Sequence, residues 1–69
     1  MKQIFFVEDD GSLISGLTFA LERQDYKVQV ARTYSEAQTG WREKPYDLII
    51  LDVSLPDGSG YDLCRRIRQ

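Results

Sequence analysis

The 69-residue chain contains no histidine. A histidine-ligated metal site, a Ser-His or Cys-His pair and a phosphohistidine carrier are therefore excluded within it. Its one cysteine, Cys64, cannot close an internal disulfide, which fits a reducing, cytoplasmic compartment. No apolar run approaches the roughly 20 residues of a membrane span. Met1-Lys2-Gln3 followed by four apolar residues is too short for the core of a signal peptide. Repeats, linker-like stretches and low-complexity tracts are missing as well. Nine basic residues against eleven acidic ones leave a formal charge of −2, which gives no reason to expect contact with nucleic acid or a membrane. The length admits one domain, and at this size only about 60% of the unfolded surface is buried on folding.

Acid in two places is what the chain does have. Ile4-Phe5-Phe6-Val7 runs into Glu8-Asp9-Asp10, and Leu48-Ile49-Ile50-Leu51 runs into Asp52. Parallel strands of an open sheet present their carboxyl ends to one crevice. Several carboxylates would then share a small volume and repel one another unless a hard cation sat among them. Oxygen ligands on a rigid scaffold suit Mg2+. Taken alone, Glu8-Asp9-Asp10 also fits solvated charge favouring a helix N-terminus.

The pattern predicts an α/β chain. Strands are expected over residues 3–7 and 47–51, whose runs Ile4 to Val7 and Leu48 to Leu51 are continuously apolar, as in strands covered on both faces. Lys27 to Ala31 alternates, as a half-exposed edge strand does. A first helix is expected from Ser12 to Gln24, with Leu13, Leu17, Ala20 and Leu21 as its apolar stripe and Ile14 beside it. Thr33-Tyr34-Ser35-Glu36 has the form of a capping box and opens a second helix, expected to reach Glu43 and stop before Lys44-Pro45. Tyr34 and Trp41 are expected to be partly buried parts of it. Residues Ser54 to Gly60 read as a loop, with Asp57 a loop residue. A third helix starts at Ser59 or Gly60, turns Leu63, Cys64 and Ile67 inward and leaves Arg65, Arg66 and Arg68 in water. Right-handed crossovers give a parallel sheet of order 2-1-3. Strand three reads as internal, yet nothing in 69 residues covers its outer edge, so the pattern is that of the first half of a longer doubly wound domain.

Lys2-Gln3-Ile4-Phe5-Phe6-Val7-Glu8-Asp9-Asp10 resembles the first strand and acidic pair of a bacterial response-regulator receiver domain. Asp52-Val53-Ser54-Leu55-Pro56-Asp57-Gly58-Ser59-Gly60 resembles that family's Asp-x-x-Leu-Pro-x-x-x-Gly phosphorylation loop. The spacing between them and the run Tyr61 to Arg68 also match. The resemblance covers the whole chain and is closest to receivers of winged-helix transcription factors. It implies a flavodoxin-like (CheY-like) doubly wound fold, of which residues 1–69 form a partial domain, β-α-β-α-β plus the start of a third helix. By the same resemblance Asp52 is the phosphate acceptor, Asp9 the direct Mg2+ ligand, and Glu8 the acid holding a metal-bound water. Ser54 would add its backbone carbonyl to the metal, while Pro56 and Gly60 shape the loop. The family also uses a Ser/Thr hydroxyl after a fourth strand and a Lys after a fifth, and neither falls within these residues.

The expected function is a phosphoacceptor signalling module of a two-component system, not an enzyme, with phosphoryl transfer from the phosphohistidine of a sensor histidine kinase to Asp52. Transfer is expected to be impaired in the fragment. A homodimer through the exposed edge of strand three is expected, with no nucleic-acid contact by this segment and none with a membrane. Two alternatives are weaker. A haloacid-dehalogenase-type Mg2+-dependent phosphatase places a second Asp two residues after its nucleophile, and here Ser54 stands there. A flavin-binding half-flavodoxin would carry a phosphate loop rich in Ser, Thr and Gly after strand one, where this chain has three acids.

Overall fold

A computed structural model describes residues 1–69, in which strands and helices alternate. β1 (Gln3–Val7), β2 (Lys27–Ala31) and β3 (Leu48–Leu51) form a parallel sheet of order β2-β1-β3. α1 (Gly11–Glu22) lies on one face; α2 (Tyr34–Gly40) and α3 (Gly60–Arg68) lie on the other. Both pairings run without a slip: Val7 stands opposite Ala31 on one side and Leu51 on the other. The expected order, the buried central strand and the alternation of β2 all hold.

β1 is buried from Ile4 to Val7 because it is central and covered on both faces. Phe5 and Val7 point to the α2–α3 face, where they meet Ala31, Ala37 and the wholly buried Leu63. Tyr34, Trp41, Ile49, Leu51 and Ile67 close that core as half-buried neighbours. Ile4 and Phe6 point to α1. Only nine of the 69 residues are buried, so stability rests on a small core, and each of its members matters.

Several local expectations are corrected. α1 starts at Gly11 because the Asp10 carboxylate caps it, accepting from Ser12 N–H (2.9 Å) and Leu13 N–H (3.2 Å). Its last turn closes with Tyr26 N–H on Leu21 O and Asp25 N–H on Glu22 O, a Schellman-type ending. Asp25 takes the left-handed position (φ 66°) that glycine usually fills. The apolar stripe of α1 is only half used: Leu17 and Leu21 are half-buried, but Leu13 is 56% exposed and Ala20 is exposed as well. α1 packs toward β2, so the β3 side of that face is open, a groove of about 540 Å3 bounded by Phe6, Leu13, Leu17, Ala20 and Ile50.

α2 ends at Gly40, short of Glu43. Trp41 N–H makes the last helical bond, to Ala37 O, and a tight turn with Glu43 N–H on Gly40 O then leads toward β3. Gly40 lies against the Phe5 ring, where a Cβ would come within 3.0 Å, so the close approach favours a residue without a side chain. The capping box forms with a shift: Glu36 N–H bonds the Thr33 hydroxyl (3.1 Å), but the Glu36 carboxylate accepts from Arg32 N–H (2.8 Å) instead of Thr33 N–H. The stretch read as a loop contains a two-rung antiparallel ladder, β4 (Ser54–Leu55) against β5 (Gly58–Ser59). β3 has no neighbour on its outer side in these residues, and Leu48 is 53% exposed. No helix is long and apolar enough to cross a membrane.

Candidate functional site: a carboxylate cluster at the sheet's carboxyl end

The site follows from register. Val7 and Leu51 are opposite each other, so the residues after them, Glu8 and Asp52, leave the sheet side by side. The main chain holds this alignment one step beyond the strands: Glu8 N–H bonds Ala31 O (3.0 Å) and Asp52 N–H bonds Val7 O (3.0 Å). Carboxylate oxygens of Glu8, Asp9 and Asp52 all fall within 4.8 Å of one another. Glu8 is buried, Asp52 half-buried and Asp9 exposed, so the cluster opens to water on one side.

Glu8 sits under the β1–α1 turn, where its carboxylate accepts from Asp9 N–H (3.1 Å) and Asp10 N–H (3.3 Å). Burial pushes its carboxyl above the usual carboxylate range, and the Asp52 charge and a shared hydrogen bond with Asp52 push the same way. The two backbone N–H groups oppose the rise without cancelling it. A buried acid held beside a second acid is a group that a divalent cation would discharge. The donor set is all oxygen, one side is open for water, and the spacing suits chelation, so the residues fit a hard ion such as Mg2+. Arg32 is a basic side chain at this end of the sheet, and its Nη2 donates to Asp9 O (3.1 Å).

Of the residues singled out in the sequence, Glu8, Asp9 and Asp52 are brought together. Asp10 is turned to capping α1. Ser54 lies in β4 opposite Ser59. Gly60 is buried with its N–H on Val53 O (2.8 Å), directly beneath Asp52. Asp57 has a part that local sequence does not signal: its two carboxylate oxygens accept from Tyr34 N–H (2.6 Å) and Ser35 N–H (3.0 Å) at the start of α2. Those partners are 22 and 23 residues away, beyond the reach of any local pattern.

An open parallel α/β sheet with three acids at the switch between adjacent strands defines a class of Mg2+-compatible acidic sites. The model of the response regulator receiver domain family matches residues 4–69, and the chain belongs to that family. It is 38% identical over 69 residues to the transcriptional regulatory protein AfsQ1 of Streptomyces coelicolor, covering 100% of this chain and 31% of that protein. Among solved structures, the non-phosphorylated HemR receiver domain of Leptospira biflexa superposes with a TM-score of 0.91 at 43% identity, over 97% of this chain and 54% of that one. The response regulator TrrA of Thermotoga maritima, solved with Mg2+ and BeF, gives a TM-score of 0.92 at 32% identity, over 99% of this chain and 59% of that one. TrrA has also been solved in complex with the histidine kinase ThkA, with a TM-score of 0.90. The chain thus spans about a third of that curated relative and somewhat more than half of the solved chains.

Proposed function

We propose that residues 1–69 are the metal-binding and phosphoacceptor part of a receiver domain, with Asp52 taking a phosphoryl group from a histidine kinase. The convergence of Glu8, Asp9 and Asp52 carries this reading. Asp9 and Asp52 would hold Mg2+ directly, Glu8 through water, and Ser54 through its backbone carbonyl. When bound, the ion supplies the charge neutralisation that lets a carboxylate approach phosphoryl oxygens. Asp52 is presented for in-line attack: a carboxylate oxygen forms the new P–O bond, the P–N bond to the donor imidazole breaks, and its electrons leave with that nitrogen. Glu8, desolvated beneath, gains the counter-charge it lacks. Lys2 and Lys44 precede β1 and β3, and Lys27 opens β2, so all three lysines lie toward the sheet's opposite end. Uptake by these 69 residues alone is therefore expected to be slow.

Backbone NMR tests the site. Adding Mg2+ should perturb residues 8–10 and 52–55 selectively, with weak affinity because Mg2+ keeps several of its waters. Asp9→Asn should weaken binding more than Asp10→Asn, since the Asp10 side chain is committed to capping α1. Equal, diffuse shifts along the chain would remove the site.

The uncovered edge of β3 supports a further reading, that these residues self-associate. An apolar strand with free N–H and C=O groups is a template for another strand. Two-fold pairing would place β3 antiparallel to its mate in a continuous sheet of order β2-β1-β3-β3-β1-β2. Sedimentation should show a mass that rises with concentration, and Ile50→Lys should favour monomers at a cost in stability. A stable monomer with slow amide exchange across residues 48–51 would exclude that edge.

A further inference from the structure

We propose that the junction between β2 and α2, Arg32 to Ser35, is a brace that fixes the separation of the two acid-bearing loops. One arm is Arg32, whose guanidinium reaches back to Asp9 O (3.1 Å) and so holds the main chain of the β1–α1 turn. The other arm is the pair of amides at the start of α2. Tyr34 N–H and Ser35 N–H grip both oxygens of Asp57, at the tip of the loop that begins at Asp52. The proposal rests on the reading of Glu8, Asp9 and Asp52 as a cation site. It assigns positions to residues that do not touch the ion.

Three observations carry it. Both arms leave one short segment, and Glu36 stiffens that segment by accepting from Arg32 N–H (2.8 Å) while its own N–H bonds Thr33. The loop is seated flush: a Cβ on Gly58 would come within 2.6 Å of the Tyr34 ring, so no gap separates the loop tip from α2. At its other end the loop is tied by Gly60 N–H to Val53 O (2.8 Å), so Asp52 sits in a segment held at both root and tip. β1 and β3 set where the two loops leave the sheet. The brace sets how far they diverge afterwards, which decides whether Asp9 can share a cation with Asp52. Arg32 and Asp57 are positioning residues in this scheme, and their own charges are incidental.

Charge and position predict different results, which makes the brace testable by Mg2+ titration of the 69-residue chain. Arg32→Ala removes a positive charge near the acids, so a purely electrostatic part for Arg32 would make Mg2+ bind more tightly. The brace requires weaker binding, by about threefold for loss of one hydrogen bond, with partial recovery in Arg32→Lys. Asp57→Ala should weaken binding by about tenfold, the low end for groups that orient metal ligands. Asp57→Asn removes the same charge but keeps one acceptor oxygen, and its affinity should fall between Asp57→Ala and the parent chain. Equal affinities for Asp57→Asn and Asp57→Ala, or tighter binding by Arg32→Ala, would overturn the proposal. A second measurement needs no metal. Asp57→Ala should shift the amide resonances of Asp9 and Asp10, which Asp57 does not touch, through α2 and Arg32. Unmoved Asp9 and Asp10 amides would overturn the brace. A parent chain that ignores Mg2+ would instead overturn the cation-site reading and leave the metal-free measurement to decide the brace. Arg32 is exposed, so Arg32→Ala retains the core and carries the test even where Asp57→Ala is poorly folded.

Discussion

Asp52→Asn will abolish covalent phosphoryl uptake while leaving the fold in place. The side chain is half-buried at the mouth of the cluster, and the bond that fixes its position, N–H to Val7 O, belongs to the main chain. Asparagine keeps the shape and that bond, but its amide is no nucleophile toward phosphorus. The substitution also lifts the Asp52 charge from Glu8, so the metal-free protein loses repulsion instead of gaining strain. Incubation with acetyl phosphate and Mg2+, followed by intact-mass measurement, should give a slow +80 Da species (the mass of one added HPO3) for the parent chain and none for the variant. A mass increase that survives in Asp52→Asn would move the acceptor to another acid and sink the assignment.

Gly60→Ala should be the most damaging single-methyl change in the chain. A Cβ there would collide with the carbonyl oxygen of Asp52 and lie 2.8 Å from the Asp52 carbonyl carbon and 3.0 Å from Val53 Cα. All three are main-chain atoms, so no side chain can swing aside. Relief requires moving either the start of α3, which carries the wholly buried Leu63, or the segment that holds Asp52. Overpacking against fixed backbone costs about 3 kcal/mol or more. A domain of this size has only about 4–10 kcal/mol in total. Denaturant titration followed by circular dichroism should show stability lowered by about 3 kcal/mol or more, with the Mg2+ response at residue 52 weakened or gone. A variant within about 1 kcal/mol of the parent in stability, with an unchanged Mg2+ response, would contradict this account.

These two residues also mark how much could be read before the fold was known. The strand order was legible because burial leaves a signature: Ile4 to Val7 is apolar throughout and central, whereas Lys27 to Ala31 alternates and forms an edge. The acids were legible because they follow strands directly, and parallel register then brings them together. Other features depend on partners remote in the chain. Asp57 looks like an ordinary turn residue until α2 is placed beside it. Gly40, the last residue of α2, lies against the Phe5 ring, 35 positions away in sequence. Asp25 closes α1 without the glycine that would have announced the turn. The stripe on α1 is apolar at helical spacing, but how much of it is covered depends on the breadth of the sheet below, which helical periodicity does not encode.

The register of β1 with β3 has a consequence for tolerance to change. Glu8 and Asp52 each stand one step past an aligned pair, Val7 and Leu51. The gap between their main chains is therefore the spacing of neighbouring strands, about 4.8 Å, a constant of backbone hydrogen bonding in any sheet. Substitutions around the site can alter its charge, its access to water or the partner it meets without touching that gap. Within the sheet a slipped register would change it, and a slip by one residue would turn every side chain of β3 to the wrong face and forfeit the core at once. The most demanding distance in the site is in this way guarded by hydrophobic residues that take no part in its chemistry.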